Sequence, residues 1–309
     1  MTRRASPWDR IRLKSNASFE VKIKEGAESV TMDSREYPTR YLHIAGAFAA
    51  GGTVNQIENN AVYVQIQAIA PAHLPMAGGK SEAKAGRTSV DCRKVKFPNV
   101  APAVLRKLRE TELISVGSSY SLAQTEPEVA GKPIISRTVS EVKSVRMAGG
   151  LSMRYGVLNL QSSHAPGERH PRITFGKTEI SGLKLGKSEL RITLDLDTFN
   201  RLSTLDAFEA AFQKDAQLQA ELSPRFLMDG TALHRNQSGY VVGSIVKSIE
   251  GLPKDARLVD GYTILWPPVG RIVLGEILMG PYVRRVTLVR LKESCVEVGS
   301  GCSGGSTLP

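Results

Sequence analysis

Residues 139–145 read VSEVKSV and residues 243–249 read GSIVKSI, and these two similar segments organise the C-terminal half of the sequence. After each segment the chain reaches two further strand-like runs in the same order, at 172–176 and 191–194 and again at 271–275 and 285–288. Self-similarity of this kind is typical of a repeated structural unit. The sequence therefore predicts a duplicated β-module, with copies at about 139–197 and 243–291. Chance similarity is the alternative, because all β-rich sequences reuse Val, Ile and Thr.

The rest of the chain is also dominated by strand patterns. Apolar and polar residues alternate over 18–24 and 62–68, and 262–291 is rich in strand-forming residues throughout. A period of two places the apolar set on one buried face. Helical spacing instead marks about 101–111 and 205–222. The sequence thus predicts a mainly β fold of β-sandwich or barrel-like modules, with two or so helices.

The composition divides the chain into three regions. We expect a basic, β-rich N-terminal domain over 1–115 and a β-domain over 116–294, in which the two β-modules lie around the helix at 205–222. The last region, 295–309, reads CVEVGSGCSGGSTLP. Because Gly and Ser side chains bury little area, the sequence predicts a flexible tail there.

Positive charge is concentrated in the first third of the chain. The protein has 41 Lys and Arg and 30 Asp and Glu, a net charge of +11. Residues 1–110 hold 18 basic and 10 acidic side chains, so that +8 of the charge lies there. The densest group, which we treat as a candidate polyanion-binding cluster, consists of Arg93, Lys94, Lys96, Arg106, Lys107 and Arg109. Clustered cations of this kind bind nucleic acid or another acidic partner, and a solvated surface is the alternative.

A few ionisable residues are candidates for catalysis. His164 and His170 lie in one segment, SSHAPGERH, and can serve as acid and base. Asp195 and Asp197 are two apart on a predicted strand, which places both carboxylates on one face. These four residues would suit a hydrolase. His43 lies in an apolar run and is expected to be a hydrogen-bonded structural residue.

Two short motifs resemble catalytic or nucleotide-binding signatures but lack the required context. Gly78–Ser81 resembles the end of a phosphate-binding loop, yet Leu74 occupies the position of the first glycine. Gly301–Gly305 fits G-x-S-x-G, but too few residues follow for the helix that this motif requires. The sequence therefore predicts no cofactor, and it offers no spacing typical of a metal site.

The cysteines and the hydropathy predict a cytoplasmic location. The chain has three cysteines, Cys92, Cys295 and Cys302, and the odd number is typical of a reducing compartment. Cys295 and Cys302 are close enough in sequence to pair on oxidation. We expect neither a signal peptide nor a membrane span, since no apolar run approaches the ~20 residues that cross a bilayer.

These patterns favour a non-enzymatic protein. The first hypothesis is a β-rich binding or self-assembling structural subunit that forms a homo-oligomer, because exposed sheet edges recruit strands from other chains. The alternatives are a hydrolase that uses His164, His170, Asp195 and Asp197, and a nonspecific nucleic-acid-binding protein that uses the basic N-terminal third.

Overall fold

The computed structural model of the chain describes residues 41–57, 62–91, 112–292 and 294–307, together with the strand Phe19–Glu20. In this part the protein forms two large sheets of ten strands each and three short α-helices. The strand pairs are antiparallel, apart from the parallel pairing of Phe19–Glu20 with residues 64–65. The prediction of a mainly β fold with a few helices is confirmed.

The first sheet is built from both ends of the chain. Its strands are β1 (Phe19–Glu20), β2 (Tyr41–Ile57), β3 (Val62–Ile69), β4 (Ala72–His73), β16 (Val241–Ser244), β18 (Arg257–Leu258), β19 (Thr263–Trp266), β20 (Gly270–Met279), β21 (Val283–Leu291) and β22 (Val296–Thr307). They are ordered β1-β3-β2-β22-β21-β20-β19-β18, with β4 paired to β2 and β16 paired to β20. The last strand of the chain therefore lies in the middle of this sheet.

The second sheet is built from the middle of the chain. Its strands are β5 (Lys80–Ala85), β6 (Thr88–Asp91), β7 (Glu112–Val116), β8 (Ser118–Thr125), β9 (Ile134–Met147), β10 (Leu151–His164), β11 (Arg172–Phe175), β12 (Glu179–Leu185), β13 (Ser188–Leu194) and β17 (Val246–Glu250). They are ordered β17-β13-β12-β10-β9-β7-β6, with β8 and β5 beside the first half of β9 and β11 beside the second half of β10. A small hairpin, β14 (Met228–Asp229) and β15 (Ala232–Leu233), stands apart.

In one half of the molecule the sheets are joined by hydroxyl groups. The inward positions of the first half of β9 are Ser136, Thr138 and Ser140, all buried. Thr138 Oγ1 donates a hydrogen bond to the carbonyl of Cys302 at 2.8 Å, and Ser140 Oγ donates one to the carbonyl of Phe48 at 2.9 Å. Because these carbonyls belong to β22 and β2, side chains of one sheet reach the backbone of the other.

Small residues permit this close approach. A Cβ atom added at Gly301 of β22 would lie 3.1 Å from Cγ2 of Thr138 and 3.2 Å from Cδ2 of Leu158. Both distances are tighter than an ordinary contact between apolar atoms, so a larger side chain would overpack the interface. The glycine-rich composition of β22 thus sets the spacing between the sheets.

In the other half the core is aliphatic and aromatic. The second half of β9 turns Val142 and Val145 inward, where they belong to the same buried cluster as Leu288 and Val298 of the first sheet. Burial of such side chains contributes about 25 cal/mol per Å² of apolar area, which makes this half the main source of stability.

Three helices after β13 extend this core. They are α1 (Leu196–Arg201), α2 (Leu205–Lys214) and α3 (Ala216–Leu222). The rings of Phe199 and Phe208 stack with 5.8 Å between their centroids, and Phe226, which follows the helices, packs against Phe208 at 5.2 Å. The predicted helix at 205–222 is confirmed as helical, but Asp215 interrupts it.

The interruption has a local cause. The Asp215 carboxylate accepts hydrogen bonds from the backbone N–H groups of Gln217 and Leu218, at 3.0 Å each. An aspartate that caps the following turn competes with the continuation of the preceding helix. Thr204 caps the start of α2 in the same way, by accepting from the N–H of Ala207 at 3.1 Å.

The prediction of a flexible C-terminal tail is wrong. Residues 296–307 form β22, which pairs with β2 on one side and β21 on the other. Val298, Ser300 and Ser303 are at most 1% exposed. The small side chains that suggested mobility are required here because β22 lies against the opposite sheet.

The predicted duplication is not confirmed, because the two copies occupy different positions. Segment 139–145 lies in the continuous strand β9 of the second sheet. Segment 243–249 instead leaves β16 of the first sheet at Ser244 and enters β17 of the second sheet at Val246. The similarity therefore reflects shared strand-forming residues rather than equivalent places in the fold.

The predicted boundary at residue 115 does not separate two sheets. The strand β2 pairs with β22, and β5 pairs with β8, so strands on either side of the boundary are hydrogen-bonded to each other. The predicted helix at 101–111 lies outside the described residues, as do most of the strand at 18–24 and Cys92.

Cys295 and Cys302 do not pair with each other. Both are free thiols, and β22 extends between them. Seven residues of extended strand span about 20 Å, whereas a disulfide needs Cα atoms less than about 7 Å apart.

A single buried arginine ties the helical segment to the first sheet. Arg284 of β21 is 1% exposed, and its guanidinium donates hydrogen bonds to the carbonyls of Ile173, Phe199 and Leu202. Burial lowers the pKa of Arg284 to about 9, so the side chain is charged at neutral pH. The last two carbonyls lie at the C-terminal end of α1, where a positive charge also interacts favourably with the helix dipole.

We predict that Arg284→Met destabilises the protein by about 3 kcal/mol, because three buried carbonyls lose their donor. Arg285→Met is the matched control: Arg285 is partly exposed and paired with Glu297 at the surface, so its loss should cost less than about 1 kcal/mol. Urea unfolding of both variants measures the difference. Equal losses would contradict the anchoring role of Arg284.

Candidate functional site

Four polar side chains from distant parts of the sequence meet at one end of the sandwich. The start of β2 turns Tyr41 and His43 inward, and the end of β10 turns Ser162 and His164 inward. The Tyr41 ring contacts both imidazoles edge-on, with ring centroids 4.9 Å from His43 and 5.1 Å from His164. All four residues are at most 4% exposed, and we call them the histidine–tyrosine cluster.

The cluster holds two buried ring nitrogens that have no hydrogen-bond partner, His43 Nδ1 and His164 Nδ1, while a side-chain hydrogen bond with Ser162 lowers the pKa of Tyr41. Buried polar atoms are almost always hydrogen-bonded in folded proteins, since leaving one unpaired costs about 1–3 kcal/mol. Two such nitrogens, on the imidazoles that contact the Tyr41 ring, are therefore a marked local concentration of unused hydrogen-bonding capacity.

The contact made by Nε2 of His164 shows which of its two ring nitrogens carries the proton. His164 Nε2 lies 2.6 Å from the carbonyl oxygen of Glu168. Because a carbonyl only accepts hydrogen bonds, Nε2 must carry the proton. In the neutral ring Nδ1 then presents a lone pair, so this buried atom is an acceptor.

Burial keeps Tyr41 and His43 uncharged at neutral pH. It lowers the pKa of His43 to about 4 and raises the pKa of Tyr41 to about 12, against a smaller opposite effect of Ser162 on Tyr41. The carboxylate of Glu128 lies 3.8 Å from His43 Nε2, too far for a hydrogen bond. At pH 7 the site therefore offers a neutral imidazole and a neutral phenol.

A cavity of about 490 Å³ opens beside the cluster. It lies between the β8–β9 connection and the β10–β11 connection, and His164 forms part of its wall. The lining includes Glu128, Lys132 and Glu168 as charged groups and Val129, Ala130, Ile134, Ala165 and Pro166 as apolar ones. This volume is within the range of small-molecule binding sites, about 300–1,000 Å³.

One wall of the cavity is held rigidly. Glu168 Oε1 accepts hydrogen bonds from Arg172, at 2.9 Å to Nε, and Oε2 accepts one from the N–H of Ala165 at 3.3 Å. The hydrogen bond from Arg172 lowers the pKa of Glu168 below its usual value. An ionised carboxylate held by Arg172 thus lies in the lining of the cavity, to which His164 also contributes.

The predicted catalytic residues are not joined to one another by any hydrogen bond or ion pair in the described part of the chain. His164 belongs to the histidine–tyrosine cluster, whereas Nδ1 of His170 lies 3.0 Å from Asp206 Oδ2, with its ring edge-on to Tyr282. Asp195 binds Arg225 at 2.7 Å. These contacts therefore do not assemble the predicted catalytic group of two histidines and two aspartates.

The two aspartates also do not share a strand face, which corrects the prediction. The strand β13 ends at Leu194, Asp195 is the N-cap residue of α1, and Asp197 lies exposed in the first turn of that helix. Burial raises the pKa of Asp195, but the hydrogen bonds from Arg225 and Thr198 outweigh it, so that the pKa is lowered overall. Asp195 is thus half of a buried ion pair.

Sequence reasoning missed most of the site. His43 was expected to be hydrogen-bonded, but its Nδ1 has no partner, and Tyr41, Glu128 and Ser162 gave no signal. The spacing of Tyr41 and His43 by two residues would have placed both on one face of a strand. Nothing local links them to His164, which is far away in sequence. The sequence also gave no indication that Asp206 is the partner of His170.

The candidate polyanion-binding residues, Arg93, Lys94, Lys96, Arg106, Lys107 and Arg109, lie outside the described residues. Among the residues that are described, no group of three or more His, Cys, Asp and Glu side chains is arranged to hold a metal ion. None of the helices in this part combines the length and apolar character needed to span a bilayer.

The fold and the site define a mainly β protein with a buried polar cluster beside a surface cavity. A family model, described as Domain of unknown function (DUF8256), matches residues 41–280, and the chain belongs to this family. The match includes all four residues of the histidine–tyrosine cluster. No curated protein and no solved structure matches the chain.

We predict that His43 makes the stability of the protein depend on pH. The folded-state pKa of about 4 lies below the usual value of 6.5, so the unfolded chain binds the extra proton first as the pH falls. Stability should decrease from about pH 6.5 downward and lose about 3 kcal/mol from this group by pH 4.

Urea unfolding between pH 7 and pH 4 tests this prediction. His43→Phe should show a shallower pH dependence than the native sequence, whereas His234→Phe, at an exposed histidine paired with Asp229, should not. Parallel curves for the native protein and His43→Phe would show that His43 does not titrate as burial requires.

Proposed function

We propose that the protein is a non-enzymatic binding subunit that holds a small ligand in the cavity beside the histidine–tyrosine cluster. The observation that carries this proposal is the pair of unpaired, buried ring nitrogens, His43 Nδ1 and His164 Nδ1, on the two imidazoles that contact Tyr41, of which His164 also lines that cavity. Binding sites combine apolar walls with a few such polar groups, which orient the ligand.

The geometry favours a ligand that donates hydrogen bonds. His164 Nδ1 is an acceptor, and the carboxylates of Glu128 and Glu168 in the cavity wall also accept. The apolar residues of the wall, such as Val129 and Ile134, suit an apolar body. A hydroxyl or ammonium group on an apolar scaffold matches this combination.

A binding role is better supported than hydrolysis. Nucleophilic catalysis by a serine requires a hydrogen bond from its hydroxyl to a base. Ser162 Oγ makes no hydrogen bond to either imidazole of the cluster. His170 and Asp195 are engaged elsewhere, in contacts with Asp206 and Arg225.

Ligand binding is also better supported than self-assembly through sheet edges. The free side of β11 is blocked by α1, because Asn200 bonds both the N–H and the carbonyl of Phe175, at 2.6 and 3.1 Å. The free edge at β5 carries Lys80, Glu82 and Lys84. Blocked and charged edges disfavour pairing with another chain.

The proposal is tested with a library of soluble fragments that carry a hydroxyl or primary amine on an apolar scaffold. Ligand-observed NMR should find fragments that bind the native protein. Their affinity should fall at least about tenfold in His164→Phe, which removes the acceptor, and binding should be lost in Ala130→Trp, which fills the cavity from an exposed position.

His234→Phe is the control, because it removes a histidine that lies outside the cluster and should leave binding unchanged. If no fragment binds, or if those that bind are insensitive to both Ala130→Trp and His164→Phe, the cavity is not the binding site and the proposal is wrong.

A further inference from the structure

A second cavity, distinct from the histidine–tyrosine cluster, lies on the outer face of the second sheet. Its volume is about 320 Å³. Its lining residues come from four neighbouring strands, β9, β10, β12 and β13, and they are Ser144, Val145, Arg146, Ser152, Met153, Arg154, Gly182, Lys184 and Glu189. We call this cavity the basic pocket.

The strand register places two of its cations in one row. Ser152 of β10 pairs with Arg146 of β9 on one side and with Lys184 of β12 on the other. Residues directly opposite in antiparallel strands point to the same face of the sheet. With adjacent strands about 4.8 Å apart, Arg146 and Lys184 therefore flank the Ser152 hydroxyl at about 10 Å from each other.

The third cation is Arg154, whose side chain lies over Gly182. A Cβ atom at Gly182 would lie 2.7 Å from Cβ and 3.2 Å from Nε of Arg154, so only glycine leaves room for this side chain. The guanidinium of Arg154 donates a hydrogen bond to Ser181 Oγ at 2.9 Å.

Two residues that line the basic pocket have unusual backbone conformations. Gly182 has a φ of 63° and Ser144 has a φ of 55°, both in the left-handed region. Unusual backbone conformations of this kind concentrate at functional sites.

The charges of the basic pocket do not cancel. Lys184 pairs with Glu189 at 3.2 Å, the single carboxylate in the lining. Arg146 and Arg154 have no carboxylate partner within the described part of the chain. Two arginines, one lysine and one glutamate leave a local charge of +2.

From this arrangement we propose that the basic pocket binds a phosphate group. Guanidinium groups bind phosphate oxygens through paired hydrogen bonds, and the hydroxyls of Ser144 and Ser152 supply further donors. The net charge of +11 attracts anions to the whole protein. The phosphate can come from free inorganic phosphate or from a nucleic-acid backbone, and both sources present the same chemistry to the pocket.

The first experiment titrates the protein with inorganic phosphate at constant ionic strength and follows the binding by calorimetry and by NMR. Native protein should bind phosphate. Arg146→Gln and Arg154→Gln should each weaken binding severalfold, and the double variant should abolish it.

Arg137→Gln is the matched control, because Arg137 is an exposed arginine on the same strand, nine residues or about 30 Å from Arg146. It should leave phosphate affinity unchanged.

A second arm measures the binding of a fluorescently labelled single-stranded oligonucleotide by anisotropy. If the oligonucleotide binds with steep salt dependence and phosphate competes with it, the backbone is the source of the phosphate group. If phosphate binds and the oligonucleotide does not, free phosphate is the ligand. No phosphate binding, or equal binding by native protein and the Arg146→Gln/Arg154→Gln variant, would overturn the proposal.

Discussion

The close contact between the two sheets is the constraint on which the rest of the structure depends. Thr138 and Ser140 of the second sheet donate hydrogen bonds to the carbonyls of Cys302 and Phe48 in the first sheet. Such bonds form only where the side chains between the sheets are small. This requirement explains why glycine, alanine and serine fill β2 and β22, and why the C-terminal strand is central. The aliphatic half of β9 then provides the apolar burial that the hydroxyl half lacks.

The same contact creates the histidine–tyrosine cluster. The start of β2 and the end of β10, which carry the four polar residues, lie on the same side of the sandwich. The Tyr41 ring contacts both His43 and His164, and burial keeps Tyr41 and His43 uncharged at neutral pH. The polar atoms are enclosed by protein yet lie beside a cavity, and this combination distinguishes them from ordinary core residues.

The two candidate sites use opposite chemistry. The cluster is buried, and its unpaired ring nitrogens are suited to a ligand that donates a hydrogen bond. The basic pocket is exposed and positively charged, and strand register rather than burial brings Arg146, Ser152 and Lys184 together. Of His164, His170, Asp195 and Asp197, which the sequence suggested for catalysis, only His164 belongs to either site. Arg225 and Asp206 bind two of those residues, because folding brings complementary charges together over long sequence distances.

The sequence by itself determined the mainly β class and the helical segment at 205–222, because a period of two and helical spacing are local properties of the chain. It also identified the excess of positive charge. The sheet order, the central place of β22, the break at Asp215 and the partners of every buried polar residue were decided by tertiary structure. The physical reason is that a sequence rich in glycine and serine predicts a flexible segment when only its composition is considered. In the folded protein the same small side chains allow β22 to pack closely against the second sheet. Likewise, a histidine acquires its role only from the atoms that surround it in the fold.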